Sequence, residues 1–101
     1  LIGAAELTAM QPHAHLVNIA RGNVVDEDAL IAALQAGEIA GAGLDVYEFE
    51  PQVPDALISM ENVTLLPHLG TAALEVREDM GLMSVANLKA FIDGNPLPNA
   101  V

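Results

Sequence analysis

The sequence predicts an α/β domain organised around a parallel sheet, and three observations predict it. Short apolar runs of strand length recur at Leu16 to Ala20, Ile39 to Val46 and Val63 to Leu66. Helical apolar spacing fills stretches before, between and after them, and glycine or proline punctuates the connections. Strands alternating with helices over short links are the pattern of parallel strands joined by crossovers.

The first element, Ala4 to Gln11, is a short helical pattern that Pro12 ends, because proline restricts the residue before it and lacks the amide a helix needs. Leu16 to Ala20 (LVNIA) is a mostly apolar run of buried-strand type, broken by Arg21-Gly22. Asp26 is a good N-cap for the next helix, and Glu27 and Asp28 favour its positive end. Leu30, Ile31 and Leu34 form its apolar stripe before Gly37 stops it. Ile39 to Val46 is apolar and glycine-rich, predicting a buried strand packed close to a neighbour, with Asp45 near its carboxyl end. Tyr47 to Met60, with two prolines and three acids, reads mostly as loop. Val63 to Leu66 is the third strand, ended by Pro67 and followed by His68-Leu69-Gly70.

Ala73 to Asp93 spaces Val76, Met80, Met83, Ala86 and Ala90 by threes and fours, with Leu88 and Phe91 widening that face. This predicts one amphipathic helix closed by Gly94, although Gly81 and Asn87 fit it less well. The remainder, with Pro96 and Pro98, is expected to leave as an extended segment.

Composition narrows the function. Hydrophobic residues fill 52% of the 101 positions and charged ones 17%, which suits one modest core and argues against disorder. Arg21, Arg77 and Lys89 oppose 14 acids for a formal net charge of -11, which disfavours a nucleic-acid backbone or an anionic membrane as partner. The absence of cysteine excludes disulfides and thiolate chemistry and agrees with a reducing cytoplasm. No basic leader opens the chain, and no run approaches the roughly 20 apolar residues of a membrane span, so a soluble, cytoplasmic protein is expected. The start at Leu1, in mid-pattern, predicts a piece of a longer reading frame.

The ionisable residues sit where chemistry is expected. Open parallel sheets collect ligand sites at the carboxyl ends of their strands. Arg21 follows the first strand, Asp45 and Glu50 follow the second, and His68 follows the third. A carboxylate beside an imidazole orients it, while a guanidinium can grip a substrate carboxylate through two parallel hydrogen bonds. Together these suit proton transfer on a small anionic acid. Ordinary readings stay open for each: a surface Arg21, a solvated Glu50, a turn-forming His68 and an Asp45 that caps a turn. His13 and His15 precede the first strand, at the wrong end for a site. The acidic stretch Glu48 to Asp55 has neither a histidine partner nor an EF-hand spacing, so it reads as a solvated face and no metal site is expected.

Three strings occur together and in order: Val17-Asn18-Ile19-Ala20-Arg21-Gly22 with Val25-Asp26, Gly41-Ala42-Gly43-Leu44-Asp45-Val46-Tyr47 with Glu50-Pro51, and Pro67-His68-Leu69-Gly70. Over effectively its whole length the chain resembles the D-isomer-specific 2-hydroxyacid dehydrogenases. The resemblance implies the C-terminal part of a Rossmann-type doubly wound parallel sheet, with residues 1–94 in the NAD(P)-binding domain and 95–101 a tail toward a separate substrate domain. It implies that Arg21 binds the substrate carboxylate and polarises the keto oxygen, that His68 is the acid/base, and that Glu50 orients it. Asp45 matches the aspartate near the nicotinamide carboxamide. Ile19, Ala20 and Gly70 match backbone positions lining the cofactor, which Arg21 and His68 also border. The formate dehydrogenase branch of the family carries glutamine where Glu50 stands.

The stretch Thr71 to Arg77 and the pair Asn87-Leu88 most resemble glyoxylate and hydroxypyruvate reductases, including sugar-acid ketoreductases. The implied activity is hydride transfer between NAD or NADP and a small 2-keto acid to give a D-2-hydroxy acid, in a homodimer. The glycine-rich turn that cradles the pyrophosphate is missing, since Gly41-Ala42-Gly43 runs on into strand and lacks a third glycine. These residues alone are therefore expected to be inactive. The resemblance leaves a second reading, a non-enzymatic dinucleotide-sensing module like the family's corepressors, and a third, a piece that persists only as an assembly unit because half a sheet has an unpaired edge.

Overall fold

A computed structural model describes residues 1–100, in two compact units, one of Leu1–Gly70 and one beginning at Thr71. The first holds three parallel strands in the order β1 (His15–Asn18), β2 (Gly41–Leu44), β3 (Val63–Leu65). Helix α1 (Ala4–Thr8) precedes β1, α2 (Glu27–Ala36) links β1 to β2, and α3 (Asp55–Ile58) links β2 to β3. The helices between strands are what parallel pairing requires, since a tight hairpin can join only antiparallel neighbours. A 3-10 turn, Gly22–Val24, leads out of the first loop, and Val25 forms a parallel bridge with Ile2.

Helix α2 follows its local signals closely. Asp26 accepts the Ala29 N–H at 2.9 Å, and past its end Gly37 adopts φ 69°, with the Glu38 N–H reaching Ala33 O at 2.9 Å. Helix α1 stops at Thr8, three residues short of the expected end, because Pro12 drives Gln11 out of helical backbone and the chain turns at Gln11 to Ala14.

Strand β1 is shifted from the expected run. His15 opens it rather than preceding it, and Ile19 and Ala20 lie past its end, where the Asn18 carboxamide takes the Ala20 N–H and turns the chain. Only Gly41–Leu44 of the Ile39 to Val46 run is laddered. The stretch expected as loop contains α3, a helix of 4 residues whose Leu57 is fully buried. So few residues show no helical period, which is why pattern alone misses it.

The core lies on one face of this sheet. Ala42 and Leu44 of β2 meet Leu7 of α1, Leu30, Ala33 and Leu34 of α2, Leu57 of α3, and Val25, Ile39 and Tyr47 from the connections. Each fully buried leucine contributes about 1.5 to 3 kcal/mol. The opposite face carries the exposed Val17 and Thr64, so residues 1–70 supply only one of the helical layers of a doubly wound sheet. The expected close packing of the glycine-rich strand holds at Gly41, where a Cβ would fall 2.4 Å from Asn62 O.

The second unit contains α4 (Leu74–Ile92), ended by Asp93 and Gly94. Gly94 at φ 69° lets the Asn95 N–H reach Ala90 O at 2.9 Å, the closure expected there. The expected amphipathic stripe is not what the helix carries. Leu74, Val85, Leu88 and Ile92 form a second apolar row opposite Val76, Met80 and Met83, and none of its residues is buried. Asn87, which sat awkwardly beside the stripe, exchanges two hydrogen bonds of 3.1 Å with Asn99. The segment after Gly94 thus turns back to the helix instead of running straight out. No helix among the described residues is long and apolar enough to cross a membrane.

Candidate active site

The three strands end in register, Asn18 beside Leu44 and Leu44 beside Leu65. Whatever follows them is therefore delivered to one edge. Arg21 comes three residues after β1, Asp45 directly after β2 with Glu50 further along, and His68 three residues after β3. Beyond the ladder, Asp45 N–H donates to Asn18 O at 3.0 Å and Leu66 N–H to Leu44 O at 2.8 Å, so this edge is tied together where the loops begin.

Glu50 and His68 meet. His68 Nδ1 lies 2.8 Å from Glu50 Oε2, with both side chains partly exposed. The other carboxylate oxygen of Glu50 accepts the Tyr47 N–H at 3.0 Å, which sets the carboxylate's angle. The hydrogen bond with His68 and then that of Tyr47 hold the Glu50 pKa below its ordinary value, and the Arg21 charge adds to the effect. Tyr47 is itself fixed, its hydroxyl donating to Leu66 O at 2.8 Å, and burial raises its pKa.

Arg21, Glu50 and His68 all line one open recess of about 670 Å³, together with Gly22, Asn23 and Phe49. Arg21 is exposed and its Nη1 donates to Ala20 O at 2.6 Å, leaving most of its donors for a ligand. His68 sits in left-handed backbone at φ 56°. The Leu69 and Gly70 N–H groups behind it donate to the two oxygens of Asp45, at 2.6 and 2.8 Å. Asp45 is thus buried beneath the loop rather than facing the recess. Ile19 and Ala20 are exposed just past β1, and Gly70 is exposed as well. His13 and His15 lie outside the recess.

Three contributors have no role assigned from the sequence: Asn18 and Tyr47, which stand in the motif strings, and Phe49. Asn18 had a signal, being the polar residue inside an apolar run, where a buried amide must find partners. Tyr47 carries only its place at the end of a motif string, and Phe49, in a stretch that reads as loop, carries none.

Comparison with known proteins decides the family, for the D-isomer specific 2-hydroxyacid dehydrogenase NAD binding domain matches residues 1–70. The chain belongs to the D-isomer-specific 2-hydroxyacid dehydrogenases. Glyoxylate reductase of Thermococcus gammatolerans is 52% identical over 101 residues, all of this chain and 30% of the relative. Glyoxylate/hydroxypyruvate reductase B of Klebsiella pneumoniae is 49% identical over 102 residues, covering 100% of the chain and 32% of the relative. The solved NADPH-dependent glyoxylate/hydroxypyruvate reductase of Sinorhizobium meliloti, in complex with NADP and malonate, superposes with a TM-score of 0.85 at 48% identity. That match covers 99% of this chain and 31% of that one. The chain therefore spans about 30% of the length of the relatives it matches, and residues 1–70 are part of a parallel, Rossmann-type NAD binding domain.

The residues present fit the reactive end of a dinucleotide. Ile19 and Ala20, just past β1, and Gly70, after β3, are small or apolar and exposed, so they would offer backbone and apolar surface to its flat ring. The pyrophosphate-cradling glycine turn is not among the described residues.

Proposed function

We propose that this segment supplies the carboxylate-binding and proton-transfer loops of an NAD(P)-dependent reductase that converts small 2-keto acids, such as glyoxylate or hydroxypyruvate, to D-2-hydroxy acids. The single observation that carries the reading is the 2.8 Å pairing of His68 with Glu50 in a recess that Arg21 also lines. The relatives it matches are about three times as long, so in this reading the working form is a longer protein, a cytoplasmic homodimer, and these residues alone are inactive.

In this reading Arg21 binds the substrate carboxylate and sets its keto oxygen toward His68. With Nδ1 turned to Glu50, the His68 ring leaves Nε2 for that oxygen. Glu50 stabilises the imidazolium that donates the proton, and its depressed pKa keeps it charged to do so. A nicotinamide cofactor, when bound, would supply the hydride. As negative charge grows on the keto oxygen, the guanidinium and imidazolium are already in place to stabilise it, so little reorganisation is required.

Steady-state kinetics of the full-length protein with NADH or NADPH and a panel of 2-keto acids test the reading. Arg21→Ala should raise KM and lower kcat together, while His68→Ala should lower kcat by roughly a hundredfold or more, in the range of general acid catalysis. An unmodified protein inactive on the whole panel, or an unchanged rate with His68→Ala, overturns it.

A further inference from the structure

Buried side chains at the strand ends hold two of the loops at the sheet edge, that of Arg21 locally and that of His68 from far along the chain. Among the described residues the buried polar or charged side chains are Asn18, Glu27 and Asp45; Asn18 is the last residue of β1 and Asp45 the first after β2. Each turns its polar atoms to the backbone of a loop. The Asn18 carboxamide accepts the Ala20 N–H at 3.1 Å and donates to Arg21 O at 2.9 Å, bracketing the peptide on the amino side of Arg21. The Asp45 carboxylate accepts the Leu69 and Gly70 N–H groups, the two peptides following His68. His68 adopts left-handed backbone, a region L side chains enter uncommonly, so local hydrogen bonds that fix it matter. Asp45 crosses 24 and 25 residues of sequence to grip that segment, and its Oδ2 lies so close to Gly70 that a Cβ there would be 3.3 Å away.

We propose that Asn18 and Asp45 are a matched pair of positioning residues, Asn18 for Arg21 and Asp45 for His68. The proposal rests on the function read above, and assigns the two side chains separate duties within it. Neither lines the recess; each acts through the backbone of a residue that does. Burial strengthens these hydrogen bonds and makes an unmatched partner costly, so a near-isosteric exchange breaks the bracket without emptying the space. In Asp45→Asn an amide NH2 must face a backbone N–H. In Asn18→Asp a carboxylate oxygen must face Arg21 O.

The test uses the full-length protein and two readouts. Asp45→Asn should lower kcat for keto acid reduction by about tenfold to a hundredfold with KM changed less than about threefold, because a misplacement of the proton donor by about 1 Å is enough. Asn18→Asp should chiefly raise KM for the keto acid, also by about tenfold, through the misdirected guanidinium. A core change that only loosens the fold, Leu34→Val, should lower the melting temperature and leave both constants alone. Independently of turnover, amide hydrogen exchange at Leu69 and Gly70 should quicken at least about tenfold in Asp45→Asn, and at Ala20 in Asn18→Asp. The proposal is overturned if kcat and KM move together in both variants, if they stay as in the unmodified protein, or if the exchange rates do not change. An unmodified protein inactive on 2-keto acids sinks the functional reading instead, and with it the assigned duties, whatever the exchange rates show.

Discussion

At the residue scale the site depends on Gly22 as much as on the charged groups. A Cβ there would fall 2.0 Å from the carbonyl carbon and oxygen of Tyr47 and 2.4 Å from Glu48 N, so the loop of Arg21 lies directly on the loop of Glu50. Gly22→Ala should force the two apart. In the full-length protein it is expected to cost at least about 2 kcal/mol, as overpacking of a close contact does, and to raise the keto acid KM. Unchanged unfolding and kinetics would show that the approach is not needed. Arg21, Glu50 and His68 were legible because ionisable groups just past apolar runs stand out. What grips them was not. The hydrogen bonds of Asp45 to Leu69 and Gly70 join residues whose identities carry no mark of the pairing, and Asn18 stands out only as a polar residue in an apolar run.

At the element scale, local signals worked where they were complete. Helix α2 has an N-cap, acids in its first turn and a left-handed glycine past its end, and its observed bounds follow them. Helix α4 has length and a glycine stop, but its apolar rows on two opposite sides defeat a one-face reading. Helix α3 is too short to display a period. Helix α1 is likewise short, and depends on Leu7, which is 0% exposed among Leu30, Leu34 and their neighbours. Leu7→Ala should therefore cost about 2 to 5 kcal/mol in denaturant unfolding of the full-length protein. Because Leu7 is outside the recess, kcat should stay as it was. A loss below about 1 kcal/mol would mean that α1 is dispensable to this core.

At the scale of the whole molecule, the charge of -11 leaves few cations to compensate buried acids, and Glu27 feels this. Desolvation raises its pKa, with the Glu48 and Asp28 charges adding to the rise. A carboxyl whose folded pKa lies above its unfolded one binds more protons when folded, so stability falls as pH climbs through the window above the ordinary glutamate value. Glu27→Gln should remove that slope: the variant gains on the unmodified protein at neutral pH, and the two converge in acid below the ordinary value. Melting temperatures across pH 4 to 8 would check it, and a gap that widens toward acid would refute it. What the sequence by itself determined was the family, the α/β class, the rough positions of three strands and two long helices, and the three ionisable groups at the strand ends. Periodicity, capping and motif order are local properties and can be read along a chain. Tertiary structure alone decided the shared register of the strand ends, the Glu50–His68 pairing at 2.8 Å and the hold of Asp45 on the loop of His68. Each joins segments separated by many residues, and only packing of the intervening helices brings them within reach.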